Sequence, residues 1–560
     1  MRTFFLSLLM SSAVAALGHA SMPMNAAANA APLPGERLGT VSFHVSCAPQ
    51  VQTQFNRGVA LLHDFWYAEA PLEFQQISKE DPTCAMAHWG IAMSSFQQIW
   101  DRPSPGSMKL GWKELQTAQS LGAKTQRERD YIATLATFYQ PDNRDYMARI
   151  TAYSNAMGAL HRKYPDDVDA GAFYALSLLA STAPNDTSLQ HNHEAMAVLT
   201  PLFRKDPDNP GVDHYIIHAC DNPAMAKDGL AAAEHYGQIA PSGPHAAHMP
   251  GHIFARLGMW RQDIDAQLAS IQASETAEAH HIPGLMDEPH SYDFLMYAYL
   301  QSGQDTRAKQ VLAKSITVVD RMAARSAEPG DHMGGWGGMT GYYRTKFPVF
   351  YSLEMRNWTA AAALQPVAGA PPEYATMTWW ARAIADGHLH HAAQAETDLT
   401  HYDALIAEVR KGPDAYAADS TGTQIARNEI AAWASFAAGR QEDAIKEMTA
   451  AADLQDKVGQ GEVDIPAREM LGDMLLELHQ PQRALAAYRV SLRLSPSRFN
   501  GLYNAGIAAE QAGNKAAANS YFAELLKSTG NGAQSARPEL AHARTFVSDD
   551  HTGAVEGSAL

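Results

Sequence analysis

Arg483-Ala484-Leu485-Ala486-Ala487-Tyr488 runs on to Ser495-Pro496, and Gly513-Asn514-Lys515-Ala516-Ala517-Ala518 runs on to Tyr521-Phe522. Both stretches are built from good helix formers, punctuated by a glycine where the chain turns and a proline where a helix must stop. The pattern recurs upstream. Asp293-Phe294-Leu295-Met296-Tyr297-Ala298-Tyr299-Leu300-Gln301-Ser302-Gly303 leads into Asp305-Thr306-Arg307-Ala308. Phe55 to Pro82 carries Gly58, Ala70, Phe74 and Asp81-Pro82, and Asn428 to Leu454 carries Gly439 and Ala444. Strand signals are scarce and apolar residues recur at helical spacing, so the chain is expected to be all-α.

These pieces resemble the tetratricopeptide repeat, a helix-turn-helix unit of about 34 residues. The resemblance implies an α-solenoid, because one repeat cannot bury its apolar face alone and must stack on its neighbours. It also implies a right-handed superhelix whose concave groove is lined by roughly positions 2, 5, 9, 12 and 13 of each repeat. The expected layout is N-terminal repeats over 51–205, central repeats over 206–330, degenerate repeats with a glycine-rich loop over 331–420, C-terminal repeats over 421–547 and a flexible tail over 548–560. Asp81-Pro82-Thr83-Cys84-Ala85-Met86-Ala87-His88-Trp89-Gly90, His248-Met249-Pro250-Gly251-His252-Ile253-Phe254 and Pro466-Ala467-Arg468-Glu469 look like a group of exported bacterial tetratricopeptide-repeat proteins. That likeness implies fold and export and lends no catalytic residues.

The chain has 560 residues, a net charge of −17, 46% hydrophobic and 18% charged residues. Such a balance supports a large core and disfavours a nucleic-acid partner, which needs a basic surface. Met1-Arg2, an apolar run to about Leu17 and Gly18-His19-Ala20 describe a signal peptide over 1–20, with a second candidate cut after Ala30. Residues 31–50 then read as a linker, and no later run is apolar for long enough to span a membrane. The expected location is periplasmic or secreted. Cys47 and Cys84 flank the first repeat and could pair there, with two separate buried thiols as the alternative, and Cys220 takes a small core position.

On the repeat ruler, His214 and His218 fall at the groove positions of one unit and His245, His248 and His252 at those of the next. His290, Asp293 and Tyr297 take the same positions of a third unit, after a longer loop at about 277–288. Spacings of three, four and seven put side chains on one helical face. Imidazole with carboxylate suits copper, zinc or iron, and the lack of a convincing thiolate disfavours a structural zinc site. The expected metal set is therefore His214, His218, His245, His248, His252, His290 and Asp293, too many for one tetrahedral ion.

Pro250 falls within the stretch carrying three of these histidines, where it either kinks a helix or begins one. Tyr297, Glu429 and Glu469 extend the groove, with Tyr297 the candidate proton donor of a metalloenzyme, while His63 reads as a solvated groove residue. His388, His390 and His391 read as a surface cluster, and Asp331 to Gly341 as an ordinary glycine-rich loop or a mobile flap. Serine and cysteine nucleophile motifs are absent. Three functions stay open: a solenoid holding a transition metal or metal-dependent ligand, a metal-free groove for a peptide, protein or small molecule, and a copper or iron oxidoreductase. Simple packing is the fourth account of the histidines.

Overall fold

The structure is a computed structural model that describes residues 32–556, apart from 100–101, 184–185, 283, 285–286, 327–336, 413–414, 460, 462 and 533–534. The expected signal peptide, most of the glycine-rich run and the last four residues lie outside the described residues. Regular structure among the described residues is helical, with no strand. No described helix is long and apolar enough to cross a membrane. The described residues divide into two compact units: 32–253 together with Ala266–Ser291, and Phe254–Asp265 together with 292–556.

Both units are built from consecutive helices packed as hairpins, and one device closes the hairpins. A glycine on the first helix faces an aromatic ring 16 residues later on the second: Gly58 with Phe74 and Gly158 with Tyr174 in the first unit, Gly472 with Tyr488 and Gly506 with Phe522 in the other. A Cβ added to Gly472 would lie 2.6 Å from the Tyr488 ring. Only a residue without a side chain lets the ring rest on the helix backbone. The last two pairs are displaced by 34 residues, the period of the tetratricopeptide repeat.

The turns repeat as well. Gly258, Gly303, Gly439 and Gly513 have φ of 66°, 69°, 75° and 75°. The N–H that follows each glycine bonds back to a carbonyl five residues earlier, as Asn514 does to Ala509. This is the Schellman closure, which needs a left-handed residue. His479, one period before Gly513, fills the same role at φ 57°.

The stretch expected to be a linker is part of the first unit's core. Leu33, Leu38, Val41 and Phe43 are buried, and Phe43 stacks on Trp89 at 5.4 Å. Cys47 and Cys84 are joined by a disulfide that ties this segment to the start of the Ala85–Ser94 helix. Cys220 is a buried free thiol, pushed up to about 12 by burial. Titration of the denatured, unreduced protein should therefore find one reactive thiol, and three would contradict the bond.

Candidate metal centre

The Pro210–Cys220 helix starts where the Asn209 side chain accepts from the Gly211 N–H and Pro210 supplies a helical φ. One turn apart on it stand His214 and His218. His245 and His248 sit three apart on the short Pro244–His248 helix, and His252 on the Pro250–Arg256 helix that follows. Pro250 has no N–H to donate, so the helix breaks at Met249, whose backbone stays near-helical at φ −55° and ψ −36°. The result lies between an unbroken helix and a loop, and it keeps all three rings in one place. His290 comes from the Glu288–Gln301 helix, in its segment belonging to the first unit.

These side chains converge as two trios. His214, His218 and His245 form one, and His248, His252 and His290 the other. Within each, one ligating atom per residue lies within 4.8 Å of the others. The centre is not an open groove: His214, His218, His245, His248 and His252 are all buried, and only His290 of the six is half-buried. A peptide lying in solvent could not reach the first trio.

Neighbouring groups aim the rings. The Nδ1–H of His214 donates at 2.5 Å to the carbonyl of His63, at the end of the Gln52–His63 helix. His252 Nδ1–H donates to the Asp221 carboxylate at 3.1 Å, and His248 Nδ1–H to the Gln267 carbonyl oxygen at 2.6 Å. His245 Nδ1 lies 3.8 Å from Asp287, whose carboxyl burial pushes up to about 7. Such partners behind the ring are what orients a metal-ligating imidazole and leaves Nε2 for the ion. The Nε2 atoms of His214 and His218 are buried without a hydrogen-bond partner. Those of His248 and His252 face each other at 2.9 Å.

Phe65 covers the first trio. Its ring centre lies 4.3 Å from that of His214, 5.5 Å from His218 and 5.6 Å from His245. To stand there it adopts φ 55°, a left-handed conformation that glycine normally fills and that costs a bulky residue about 1–3 kcal/mol. Sequence reasoning passed over Phe65, Asp221, Gln267 and Asp287, because none belongs to a spacing motif.

Burial, aided by repulsion among the rings, depresses the imidazoles: His214, His245 and His248 fall well below the ordinary range and His218 to about 3. All four are neutral, the form that binds metal. In the unfolded chain they take up protons below about pH 6.5, so the unfolded state binds more protons and stability drops as pH falls from there toward the folded value. His218→Leu removes one such group. In metal-free protein it should lessen the stability lost between pH 6.5 and 5 by about 1.5 kcal/mol, measured by denaturant unfolding. An unchanged slope would mean His218 is charged in the fold.

The remaining expected site residues go elsewhere. Asp293 is buried in the second unit and accepts from Lys346 Nζ, so it is an ion-pair partner there and joins neither trio. Tyr297 and Glu469 are buried in that unit around Arg498, and Glu429 accepts from Trp380 Nε1 at 2.6 Å. Tyr297 and Glu429 are enclosed, while Glu469 borders a small pocket with Arg356, Asp473 and Asn500. The Tyr297 hydroxyl donates to the Asp464 carbonyl at 3.0 Å and accepts from Arg498, so it is engaged within the second unit. His63 is not solvated either: its Nε2–H donates to Asp169 at 3.0 Å and its Nδ1 accepts from Tyr215. His388 is no surface residue, since it lies between Trp358 and Trp433 and bonds Glu477 at 2.6 Å, whereas His390 and His391 are exposed.

No family profile and no curated protein matches the chain. Among solved structures it is similar to the yeast Tom70, at 11% identity and TM-score 0.34 over 90% of this chain and 96% of that one. It is also similar to the P58(IPK) TPR domain, at 12% identity and TM-score 0.20 over 90% and 99%. A third likeness is to the human IFIT1 dimer with PPP-AAAA, at 10% identity and TM-score 0.36 over 79% and 90%. The tetratricopeptide-like character of this chain rests on its own repeated helical hairpins.

Proposed function

We propose that the protein is an exported repeat scaffold whose first unit holds a transition metal, copper, zinc or iron, through its two histidine trios. The observation that carries this is the pair of Nε2 atoms 2.9 Å apart in His248 and His252. Asp221 and Gln267 stand on the Nδ1 side of the two rings and turn both Nε2 atoms into the same space. One proton between them makes the hydrogen bond of the metal-free protein, and a metal ion in its place takes both nitrogens as ligands. Depressed imidazoles, carboxylate and amide partners behind the rings and the absence of thiolate fit the same chemistry. Export agrees with the Cys47–Cys84 bond, since disulfides persist in oxidising compartments.

Protein purified without an affinity tag should contain one of these metals. A metal that binds only the folded state raises stability by about 2.7 kcal/mol at a hundredfold excess over its dissociation constant. Chelator should therefore lower the melting temperature. Negligible metal together with a chelator-insensitive melt would withdraw the reading and leave a metal-free scaffold.

A further inference from the structure

Each trio has three imidazoles, enough for one ion with an open position. The trios are adjacent because one turn of helix feeds both: His245 belongs to the first and His248, three residues on, to the second, with ring centres 6.0 Å apart. Among the described residues, Asp221 stands behind His252 and Asp287 lies 3.8 Å from His245. Two dications placed side by side in this buried volume repel one another. A small anion lying between the ions screens that repulsion and fills the open position of each at once. Phe65 closes the first trio, whereas His290 is half-buried, so an anion or small neutral molecule gains access past His290.

We propose that the two trios bind a pair of ions, with copper favoured by the order of divalent affinities, and that the pair takes one small bridging anion. The separation required is about that of two-metal sites, 3.5–4 Å. This rests on the metal reading above and adds to it the number of ions, their coupling and the class of ligand. Nothing in it needs a redox step: hydroxide or azide enters as an anion, displaces water and forms one bond to each ion.

The test loads the full-length metal-free chain with excess copper(II), removes unbound ion and measures metal content, electron paramagnetic resonance and azide binding. Two coppers per chain should be found, with an integrated signal well below one spin because the bridged ions couple, and azide should saturate at one per two coppers. His218→Ala with His245→Ala should then hold one copper showing a full mononuclear signal, since the second trio is intact. Two coppers with two full mononuclear signals, or azide saturating at one per copper, would overturn the pair while leaving metal binding in place. A single copper in the wild type would do the same. No retained copper refutes both this proposal and the one on which it rests.

Discussion

Arg498→Met should be the most damaging single change in the second unit, lowering its unfolding free energy by about 3–5 kcal/mol. Arg498 is fully buried. Its guanidinium donates to Glu469 through Nε at 2.8 Å, to Glu354 at 2.9 Å, to the Asp464 carbonyl at 2.8 Å and to the Tyr297 hydroxyl. Glu354 and Glu469 are themselves buried, so methionine leaves two carboxylates without their counter-charge. The expected cost comes mostly from those stranded acids and only in part from the lost attraction. The variant carrying Glu354→Gln and Glu469→Gln as well should therefore recover much of the loss. Chemical denaturation reads both. A single variant within about 1 kcal/mol of wild type would show that water reaches the cluster.

The second large effect belongs to His248→Ala combined with His252→Ala. Structural zinc sites bind with about 10–16 kcal/mol over four ligands, so losing two ligands from one trio weakens its ion on the order of 10⁴-fold or more. The trio of His214, His218 and His245 keeps all its members and should keep its ion. Complete loss of metal thus requires changes in both trios, more than the shared face of a single helix suggests. Exposed His390 is the proper control, and His390→Ala should leave metal content and melting unchanged. His388 cannot serve, because the Trp358 and Trp433 rings sandwich it at 3.9 and 4.0 Å. Metal content equal to wild type in the double variant would remove the second trio from consideration.

The hairpins and six histidines were legible because both depend on local counting. A left-handed glycine, an alanine in the following helix and a closing proline recur at a fixed period, and i, i+3, i+4 spacing places imidazoles on a common face. Asp293 shows where counting fails. It holds the same kind of repeat position as its neighbours, yet Lys346, distant in sequence, claims its carboxylate. Tyr297, Glu429 and Glu469 fail alike, because position on a helix face does not say whether that face meets solvent or a buried arginine or tryptophan. Phe65 was invisible for another reason. A bulky residue in a left-handed turn goes against local preference, and only the surrounding rings explain its place.

The 34-residue displacement between the Gly472–Tyr488 and Gly506–Phe522 pairs has a consequence for how such a chain can change length. Excising residues 480–513 would join His479, already left-handed, directly to Asn514, which caps the next helix. Gly472 would then meet Phe522 at the spacing it now has to Tyr488. As hairpin geometry, the cut is silent. It removes Arg498, however, and so strands Glu354 and Glu469, which lie outside the excised period. Arg498, with Phe499 N–H on Gln301 and Asn500 on Glu354, thus ties a module that hairpin geometry alone would let be copied or dropped to its surroundings.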